Sequence, residues 1–287
     1  MEWLKQLNQA IEYIESNLED EISYDKAAKI ACCSTYYFQR MFSYVAGIPL
    51  SEYIRRRRMT KAAFELQVSE EKVMDIGLKY GYDLPTSFNR AFQNVHGVAP
   101  TTARKEGTQL NAYPRINFSI NVIGGENMSY RVERKGPIRI VGTRVPLKED
   151  IEKNFQIVPK FWDKTLKSNL YSEICRLANQ NPYGILGITV YKNPEEIYYY
   201  IAASSDKDAP EELVEYEIPS ATWVIFECNG RFPESIQTVY KRFLTEWLPF
   251  SGYEYAELPD IEVYPINNRK LKSGYCEVWI AVKKSES

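Results

Sequence analysis

The feature that most constrains this chain is a repeat with a period of 50 residues in its first third. The matched pairs are Ala27/Gly77, Ala31/Gly81, Phe38/Phe88, Arg40/Arg90, Phe42/Phe92, Val45/Val95 and Gly47/Gly97. Two phenylalanines four residues apart give each copy a buried helical stripe, and the arginine between them points away from it. Small residues in the preceding helix allow close approach. Each copy is typical of a helix-turn-helix, whose second helix enters the DNA major groove; the alternative is two ordinary helical hairpins.

Residues 1–107 are expected to be helical throughout. The apolar positions of a first amphipathic helix are Leu4, Leu7, Ile11, Ile14 and Leu18. Ser23 and Ser34 are candidate caps of the second and third helices, and Gly47 ends the third. The segment from Ser51 to Gln67 lacks Pro and Gly, so it predicts a helix of about 25 Å. Such a spacer would set two recognition helices about 34 Å apart, so that a single chain reads two adjacent major grooves.

Charge is distributed unevenly along this region, although the whole chain has a net charge of −2. Residues 1–25 hold one Lys and seven acids, whereas residues 26–107 hold 13 Lys or Arg and seven acids. This excess favours a polyanionic partner only weakly. Arg55 to Arg58 cover every side of the spacer helix, so some of them must pack against the protein. Arg55 and Arg58 are the candidates for phosphate contact; the alternative is a solvated face.

The segment from about Leu7 to Lys105 resembles the DNA-binding domain of the AraC/XylS regulators, through the motifs Phe38-Gln39-Arg40-Met41-Phe42 and Phe88-Asn89-Arg90-Ala91-Phe92. The resemblance implies two recognition helices. Their base-reading and phosphate positions fall on Tyr36, Tyr37, Gln39, Arg40, Thr86, Ser87, Asn89 and Arg90. Arginine can bind guanine bidentately, and Gln and Asn can pair with adenine, whereas core packing is the alternative for the tyrosines. Pro85 departs from the polar residue of many relatives, which puts one contact of the second helix in doubt.

A different composition begins after Gly107. Residues 108–127 hold few charges and include Gly124-Gly125, which indicates a linker with room for one short strand. Beyond it, strands are expected at residues 128–135, 138–147, 183–191, 196–204, 222–230, 253–259, 260–265 and 275–282, with helices at 151–178, its main part opened by Pro159, and at 233–248. The predicted fold is an all-α double helix-turn-helix at 1–107, followed at 128–287 by an α+β domain with strand-strand-helix-strand-strand order, twice.

Acidic and aromatic residues alternate on two of the last strands. Glu262 and Tyr264 share one face of their strand, and Glu277 and Trp279 share one face of theirs. Such a pattern suits a pocket for a lipophilic cation, through charge pairing and cation–π contact. The alternative is a face turned to solvent, and most of the aromatic residues must fill the core.

Residues from about 128 to 284 resemble the GyrI-like effector-binding domain. The similar segments are Tyr183-Gly184-Ile185, Glu246-Trp247-Leu248-Pro249, Glu262-Val263-Tyr264-Pro265 and Glu277-Val278-Trp279-Ile280. The resemblance implies that Glu262 meets the positive charge of a ligand, with Tyr264 and Trp279 beside it. The other candidate pocket residues are Glu277, Trp223, Trp162 and Tyr183.

The sequence therefore favours a DNA-binding transcription regulator controlled by a small molecule, with RNA polymerase as a possible further partner. The alternatives are a hydrolase, in which Glu262 acts as general base, and a C-terminal domain that contacts only other proteins. Five cysteines without a CxxC motif and a single histidine, His96, favour neither a metal site nor a cofactor. No apolar run reaches about 18 residues and no signal peptide is recognisable, so a cytoplasmic location without membrane contact is expected.

Overall fold

A computed structural model describes residues 2–119, 127–266 and 273–285, and the chain divides into two compact units after Ser119. The helices of the first unit are α1 Glu2–Ser16, α2 Tyr24–Ile30, α3 Thr35–Ala46, α4 Leu50–Val68, α5 Val73–Lys79, α6 Pro85–His96 and α7 Pro100–Ala103. The predicted helical character of this region is confirmed, as is the long spacer helix, α4.

The predicted helix ends in the first unit are confirmed by their geometry. The Ser23 side chain accepts a hydrogen bond from the Lys26 amide, and the Ser34 side chain accepts one from the Tyr37 amide. These serines satisfy amides that the first turn of each helix would leave unpaired. Gly47 and Gly97 adopt left-handed φ values of 71° and 76°, which end α3 and α6 with little strain.

The repeat is confirmed, but its register shifts by one residue at the turn. The period of 50 relates α3 to α6, whereas α2 and α5 match at 49, because the turn before α6 is one residue longer. The Cys33 amide donates to the Ala28 carbonyl as the Tyr82 amide donates to the Gly77 carbonyl. Gly77 therefore corresponds to Ala28 rather than Ala27. Gly81 corresponds likewise to Cys32, and both have positive φ, +83° and +54°.

Each copy of the repeat builds its own core. Phe38 and Phe42 are buried in the first core, and Phe88 and Phe92 are buried in the second. A Cβ atom on Gly77 would lie 3.1 Å from the Phe88 ring, so this glycine allows the close approach of α5 to α6 that the sequence predicts.

A buried ion pair joins α1 to α4. Arg57 Nε and Nη2 each donate to a Glu15 oxygen at 2.8 Å, and the Tyr53 hydroxyl donates to Glu15 Oε1 at 2.6 Å. Hydrogen bonds from Arg57 and Tyr53 lower the pKa of Glu15 against the opposing effect of burial, which is the largest single influence. Losing either partner would leave a buried charge with unmet hydrogen bonds, which is strongly destabilising.

The predicted linker is partly a tail of the first unit. Phe118 is buried, its amide donates to Asn8 Oδ1 at 2.9 Å, and its carbonyl accepts from Asn8 Nδ2 at 2.8 Å. The Ile116 amide donates to the Tyr53 hydroxyl at 3.2 Å. Apolar side chains of the tail cover both cores, so residues 108–119 pack on the helices instead of spanning a gap. Gly124 and Gly125 lie outside the described residues.

The second unit is a single antiparallel sheet with helices. Its strands are β1 Tyr130–Lys135, β2 Ile138–Pro146, β3 Ile185–Asn193, β4 Glu196–Ser204, β5 Val214–Ile218, β6 Ala221–Arg231, β7 Tyr253–Tyr255, β8 Ile261–Tyr264 and β9 Ser273–Lys284. Its helices are α8 Ile151–Leu166, α9 Asn169–Leu177 and α10 Glu234–Arg242, which continues in a π-helical turn to Trp247. The strand order is β1-β6-β9-β8-β3-β4-β2-β5, with β7 beside the end of β9.

The duplicated order of strands and helices is confirmed, with three differences. β5 was not predicted, because three of its five residues are Glu or Tyr and one of its faces is exposed to solvent. The helix predicted at 151–178 is two helices, α8 and α9. Pro159 lies inside α8 instead of opening it, because Asp150 already caps that helix by accepting from the Glu152 amide at 3.1 Å.

The pairing of β3 with β8 joins two halves of the sheet. One half contains β1, β6, β9 and β8, and the other contains β3, β4, β2 and β5. Gly187 lies opposite Glu262 in this pairing, and Val278 on β9 lies opposite Glu262 on the other side. Phe226 pairs with Val278 and contacts Phe243 and Trp247 beyond α10. Since directly paired residues share a face, Glu262 lies on the face that the helices cover.

We expect the stability of the protein to fall on acidification because of His96. Its Nε2 lies 3.0 Å from the Met59 carbonyl and must donate, whereas Nδ1 accepts from the Asn111 amide at 3.3 Å. Burial lowers the pKa of His96 from its ordinary value of 6.5. The folded state therefore binds fewer protons, and stability is lost as pH falls through about 6.5 toward the lower folded pKa.

Thermal melting of the full chain between pH 7.5 and pH 5 tests this expectation. His96→Gln keeps an amide that can donate to Met59 but does not titrate, so its melting temperature should fall less over this range than that of the wild type. Parallel pH profiles for the two proteins would contradict the assignment.

Candidate effector and DNA-binding sites

The second predicted recognition helix, α6, presents its candidate residues to solvent. Thr86, Ser87, Asn89 and Arg90 are exposed, while Phe88 on the opposite face is buried. Pro85 occupies the first helical turn, where its missing amide costs no hydrogen bond. The four side chains lie on one surface, as contact with a DNA groove requires.

The corresponding residues of α3 are less accessible. Tyr36, Tyr37, Gln39 and Arg40 are each less than 10% exposed, which differs from the exposure expected of residues that read bases. The Arg40 guanidinium donates from Nε to the Tyr44 hydroxyl at 3.1 Å and lies 5.4 Å from the centre of its ring. The DNA-reading role of these four residues remains a prediction.

The two predicted phosphate contacts have different surroundings. Arg55 is partly exposed and forms an ion pair with Glu52. Arg58 donates from Nε to the Leu18 carbonyl at 2.9 Å and from Nη2 to the Asp20 carbonyl at 2.7 Å. Arg58 therefore holds the connection between α1 and α2, and its contact with DNA phosphate remains a prediction.

Glu262 lies in a cluster of aromatic residues on the helix-covered face of the second unit. Its Oε2 atom accepts hydrogen bonds from the Tyr264 hydroxyl at 2.8 Å and the Tyr199 hydroxyl at 3.1 Å. The Tyr199 hydroxyl in turn accepts from Trp162 Nε1 at 3.0 Å. The Trp162 and Phe232 rings each lie 5.4 Å from the Tyr264 ring. We call these five residues the Glu262 cluster.

The cluster draws on both halves of the unit. Trp162 and Tyr199 come from the first half, and Phe232, Glu262 and Tyr264 come from the second. Tyr264 is buried, and burial together with the nearby Glu262 carboxylate raises its pKa well above the ordinary value, so it remains a neutral donor. Glu262 itself is half-buried. A partly accessible carboxylate surrounded by rings can bind an aromatic cation.

Gly187 makes room for the cluster. A Cβ atom at this position would lie 2.9 Å from Glu262 Oε2 and would overlap the Tyr199 hydroxyl. Only a residue without a side chain leaves these oxygens where they are. The sequence analysis did not identify Gly187 as a site residue.

Three residues predicted to share a pocket with Glu262 lie on the opposite face of the sheet. Trp279 pairs with Ile261, and Glu277 pairs with Val263, so neither shares the Glu262 face. Trp223 contacts Trp279, with ring centres 6.1 Å apart, in the core on that side. Glu277 and Trp279 do share a face, as predicted. The sequence does not fix the register between β8 and β9. This register places Glu262 and Tyr264 on one face of the sheet and Glu277 and Trp279 on the other.

Tyr183 also lies away from Glu262. It is 64% exposed and lines a cleft of about 560 Å³ that includes Glu277 and Trp279. Glu277 accepts hydrogen bonds there from Arg131 at 2.9 Å and from Trp279 Nε1 at 2.8 Å. The carboxylate in this cleft is thus already neutralised by a cation.

Sequence reasoning also missed Tyr199 and Phe232. Tyr199 stands in the run Tyr198-Tyr199-Tyr200 of a strand buried on both faces, so alternation could not select it. Phe232 lies in the connection before α10, where no periodic pattern exists. Of the predicted pocket residues, the structure brings together Glu262, Tyr264 and Trp162.

Two family models match the chain. The model described as an integron-associated effector binding protein matches residues 131–282, and a helix-turn-helix domain model matches residues 27–106. The chain belongs to the AraC-type helix-turn-helix regulators and carries an integron-associated, GyrI-like effector-binding domain. The protein is therefore a DNA-binding transcription regulator that is modulated by a small molecule.

Curated relatives are similar to about a third of the chain. The transposon Tn10 TetD protein of Escherichia coli is 41% identical over 93 residues, which is 32% of this chain and 67% of TetD. The transcriptional activator AarP of Providencia stuartii is 38% identical over 105 residues, which is 37% of this chain and 78% of AarP.

A solved structure resembles the second unit. A putative transcription regulation protein from Staphylococcus aureus MU50 is 18% identical with a TM-score of 0.47, covering 55% of the regulator and 99% of that chain. In the described ranges no helix has the length and apolar composition needed to cross a membrane. Nor do His, Cys, Asp and Glu side chains of those residues gather in threes that could hold a metal ion.

The close approach at Gly187 predicts that Gly187→Ala destabilises the second unit. Overpacking of this kind costs about 1–3 kcal/mol. Gly136→Ala is the matched control, because a Cβ atom there meets nothing within 4 Å, and it should change stability by less than about 0.5 kcal/mol. Urea denaturation of the full chain measures both. Equal stability of the two variants would mean that the Glu262 cluster accommodates a methyl group at position 187 without strain.

Proposed function

We propose that the regulator senses a cationic, aromatic or amphipathic effector at the Glu262 cluster. The observation that carries the proposal is a half-buried carboxylate, Glu262, that accepts hydrogen bonds from two tyrosine hydroxyls. Aromatic rings from both halves of the second unit surround it. A cation entering this cluster would gain charge pairing with Glu262 in a poorly hydrated setting, and its apolar part would gain contact with the rings.

The electrostatics favour Glu262 over Glu277 as the effector carboxylate. Glu277 is bonded to Arg131, so a ligand cation would have to displace an existing ion pair. The donors to Glu262 described above are neutral hydroxyls, which stabilise the carboxylate without cancelling its charge. The ion pair with Arg131 therefore makes Glu277 the less favourable carboxylate for a ligand cation.

Effector binding, not turnover, is the role we propose for this domain. The relatives of the first unit are transcription regulators, and regulation requires an occupied state that persists. A hydrolase using Glu262 as general base is the competing possibility. Incubation of the protein with esters and amides that bind it, followed by mass spectrometry, would reveal product if that possibility were correct.

We also propose that α3 and α6 read two adjacent major grooves from a single chain. The repeat and the uninterrupted α4 between its copies support this arrangement. Arg40 and Arg90 would contact guanine, with Gln39 and Asn89 as partners of adenine. Recruitment of RNA polymerase by the bound regulator would appear as activation in a reconstituted transcription assay.

Glu262→Gln should weaken the binding of benzyltrimethylammonium and leave its uncharged carbon analogue, neopentylbenzene, almost unchanged. The substitution preserves shape and removes charge, so we expect a loss of about tenfold or more for the cation, corresponding to roughly 1.4 kcal/mol. Calorimetry on the full chain measures both ligands.

Glu277→Gln is the matched control, because it removes a carboxylate from the opposite face and should leave both affinities unchanged. If Glu277→Gln weakens the cation and Glu262→Gln does not, the effector occupies the other cleft and the proposal is wrong.

Arg90→Ala should weaken binding to an operator, selected from random DNA by the protein itself, by about 1–3 kcal/mol. Binding to random DNA should change much less, because base contacts specify and phosphate contacts do not. Arg55→Ala is the comparison variant: as a phosphate contact it should weaken both DNAs alike. Gel-shift titration at fixed salt distinguishes the two patterns. If Arg90→Ala loses equal affinity for the operator and for random DNA, Arg90 contacts a phosphate and does not read a base.

A further inference from the structure

Two cysteines that the effector site does not use lie directly opposite each other in the sheet. Cys228 on β6 pairs with Cys276 on β9 in the antiparallel register. Direct partners on neighbouring strands point to the same face and have their Cβ atoms about 4.5–5.5 Å apart. The sheet register therefore places the two thiols side by side on one face.

The surroundings of this pair favour one reactive thiol and one protonated partner. Interaction with the Cys276 thiol is the main cause that lowers the pKa of Cys228 to about 7, and burial opposes it. The same interaction, together with burial, raises the pKa of Cys276. Cys228 is also the more exposed of the two, 2% against 0%, so we assign it as the nucleophile and Cys276 as the thiol that supplies the second sulfur.

The pair lies on the same face as the Glu262 cluster. Cys276 is two residues from Val278, the partner of Glu262, so both lie on the face of the sheet that carries Glu262. Cys228 lies on that face too, because it pairs directly with Cys276. Cys228 and Cys276 are only 2% and 0% exposed, so a reagent that reaches them must be small.

We propose that Cys228 and Cys276 form a dithiol site that small hydroperoxides oxidise to a disulfide across β6 and β9. The Cys228 thiolate attacks the peroxide O–O bond, which gives a sulfenic acid and releases an alkoxide that takes up a proton. The Cys276 sulfur then attacks the sulfenic sulfur, an S–S bond forms, and the hydroxyl leaves as water. Two thiols and one hydroperoxide become one disulfide, one alcohol and one water.

The other three cysteines differ from this pair in ways that make them useful controls. Cys32 is exposed, and Cys33 and Cys175 are intermediate in exposure. Cys32 and Cys33 are adjacent in the turn between α2 and α3, where no neighbouring strand holds them in register. The proposed site therefore makes a prediction opposite to that of accessibility alone: the buried pair forms the disulfide, and the exposed thiol does not.

The test uses the full chain with Cys32, Cys33 and Cys175 replaced by Ser, so that only the pair remains. Hydrogen peroxide is the probe. We expect the intact mass to fall by two hydrogen atoms, both titratable thiols to be lost, and a peptide map to join Cys228 to Cys276; dithiothreitol should restore both thiols. The wild-type protein, mapped in the same way, gives the result independently of the triple substitution.

Cys276→Ser in the triple-substituted background is the matched variant. It removes the resolving sulfur but keeps Cys228, so the sulfenic acid should accumulate and be trapped by dimedone without any internal cross-link. The proposal is overturned if Cys228 and Cys276 remain reduced at peroxide concentrations that oxidise Cys32 in the wild type. It is also overturned if peptide mapping finds cross-links only between separate chains.

Discussion

Burial of carboxylates is the constraint on which both units depend, because a carboxylate taken out of water is costly unless hydrogen bonds replace its lost hydration. Tyrosine hydroxyls provide those bonds repeatedly. In the first unit Glu15 accepts from Tyr53, and Glu65 accepts from Tyr80. In the second unit Asp260 accepts from Tyr255 through both oxygens, as Glu262 accepts from two tyrosines through one. Neutral donors of this kind replace part of the lost hydration of a carboxylate and leave room for further partners.

The use of the charge depends on what else the carboxylate contacts. Glu15 also accepts hydrogen bonds from Nε and Nη2 of Arg57, so its charge holds α1 against α4. Glu277 is similarly bonded to Arg131 at the surface of the sheet. Aromatic rings lie close to Glu262, and Gly187 keeps the space beside its oxygens free of a side chain. The same kind of carboxylate thus forms an ion pair in two places and lies in an aromatic cluster in the third.

Much of this architecture could be predicted from the sequence, where local periodicity decides the outcome. The helix-turn-helix repeat, the serine caps and the duplicated strand and helix order depend on near neighbours, and the structure confirms them. The pocket was harder to predict, because alternation along β8 and along β9 gives the faces of each strand but not their register. Pairing Ile261 with Trp279 turns Trp279 away from Glu262. The contacts of Arg58 could not be predicted for a related reason: its acceptors, the Leu18 and Asp20 carbonyls, lie 40 and 38 residues away in the sequence.

The pairing of β3 with β8 links the stability of the sheet to the geometry of the Glu262 cluster. It is the contact that joins the two halves of the sheet, and it places Gly187 opposite Glu262. A shift of one residue in this register would turn every side chain of β8 to the other face, so that Ile261 and Val263 would replace Glu262 and Tyr264 beneath the helices. The burial of Ile261 and Val263 in the core on the other side opposes such a shift. Apolar packing on one face of the sheet therefore maintains the polar cluster on the other.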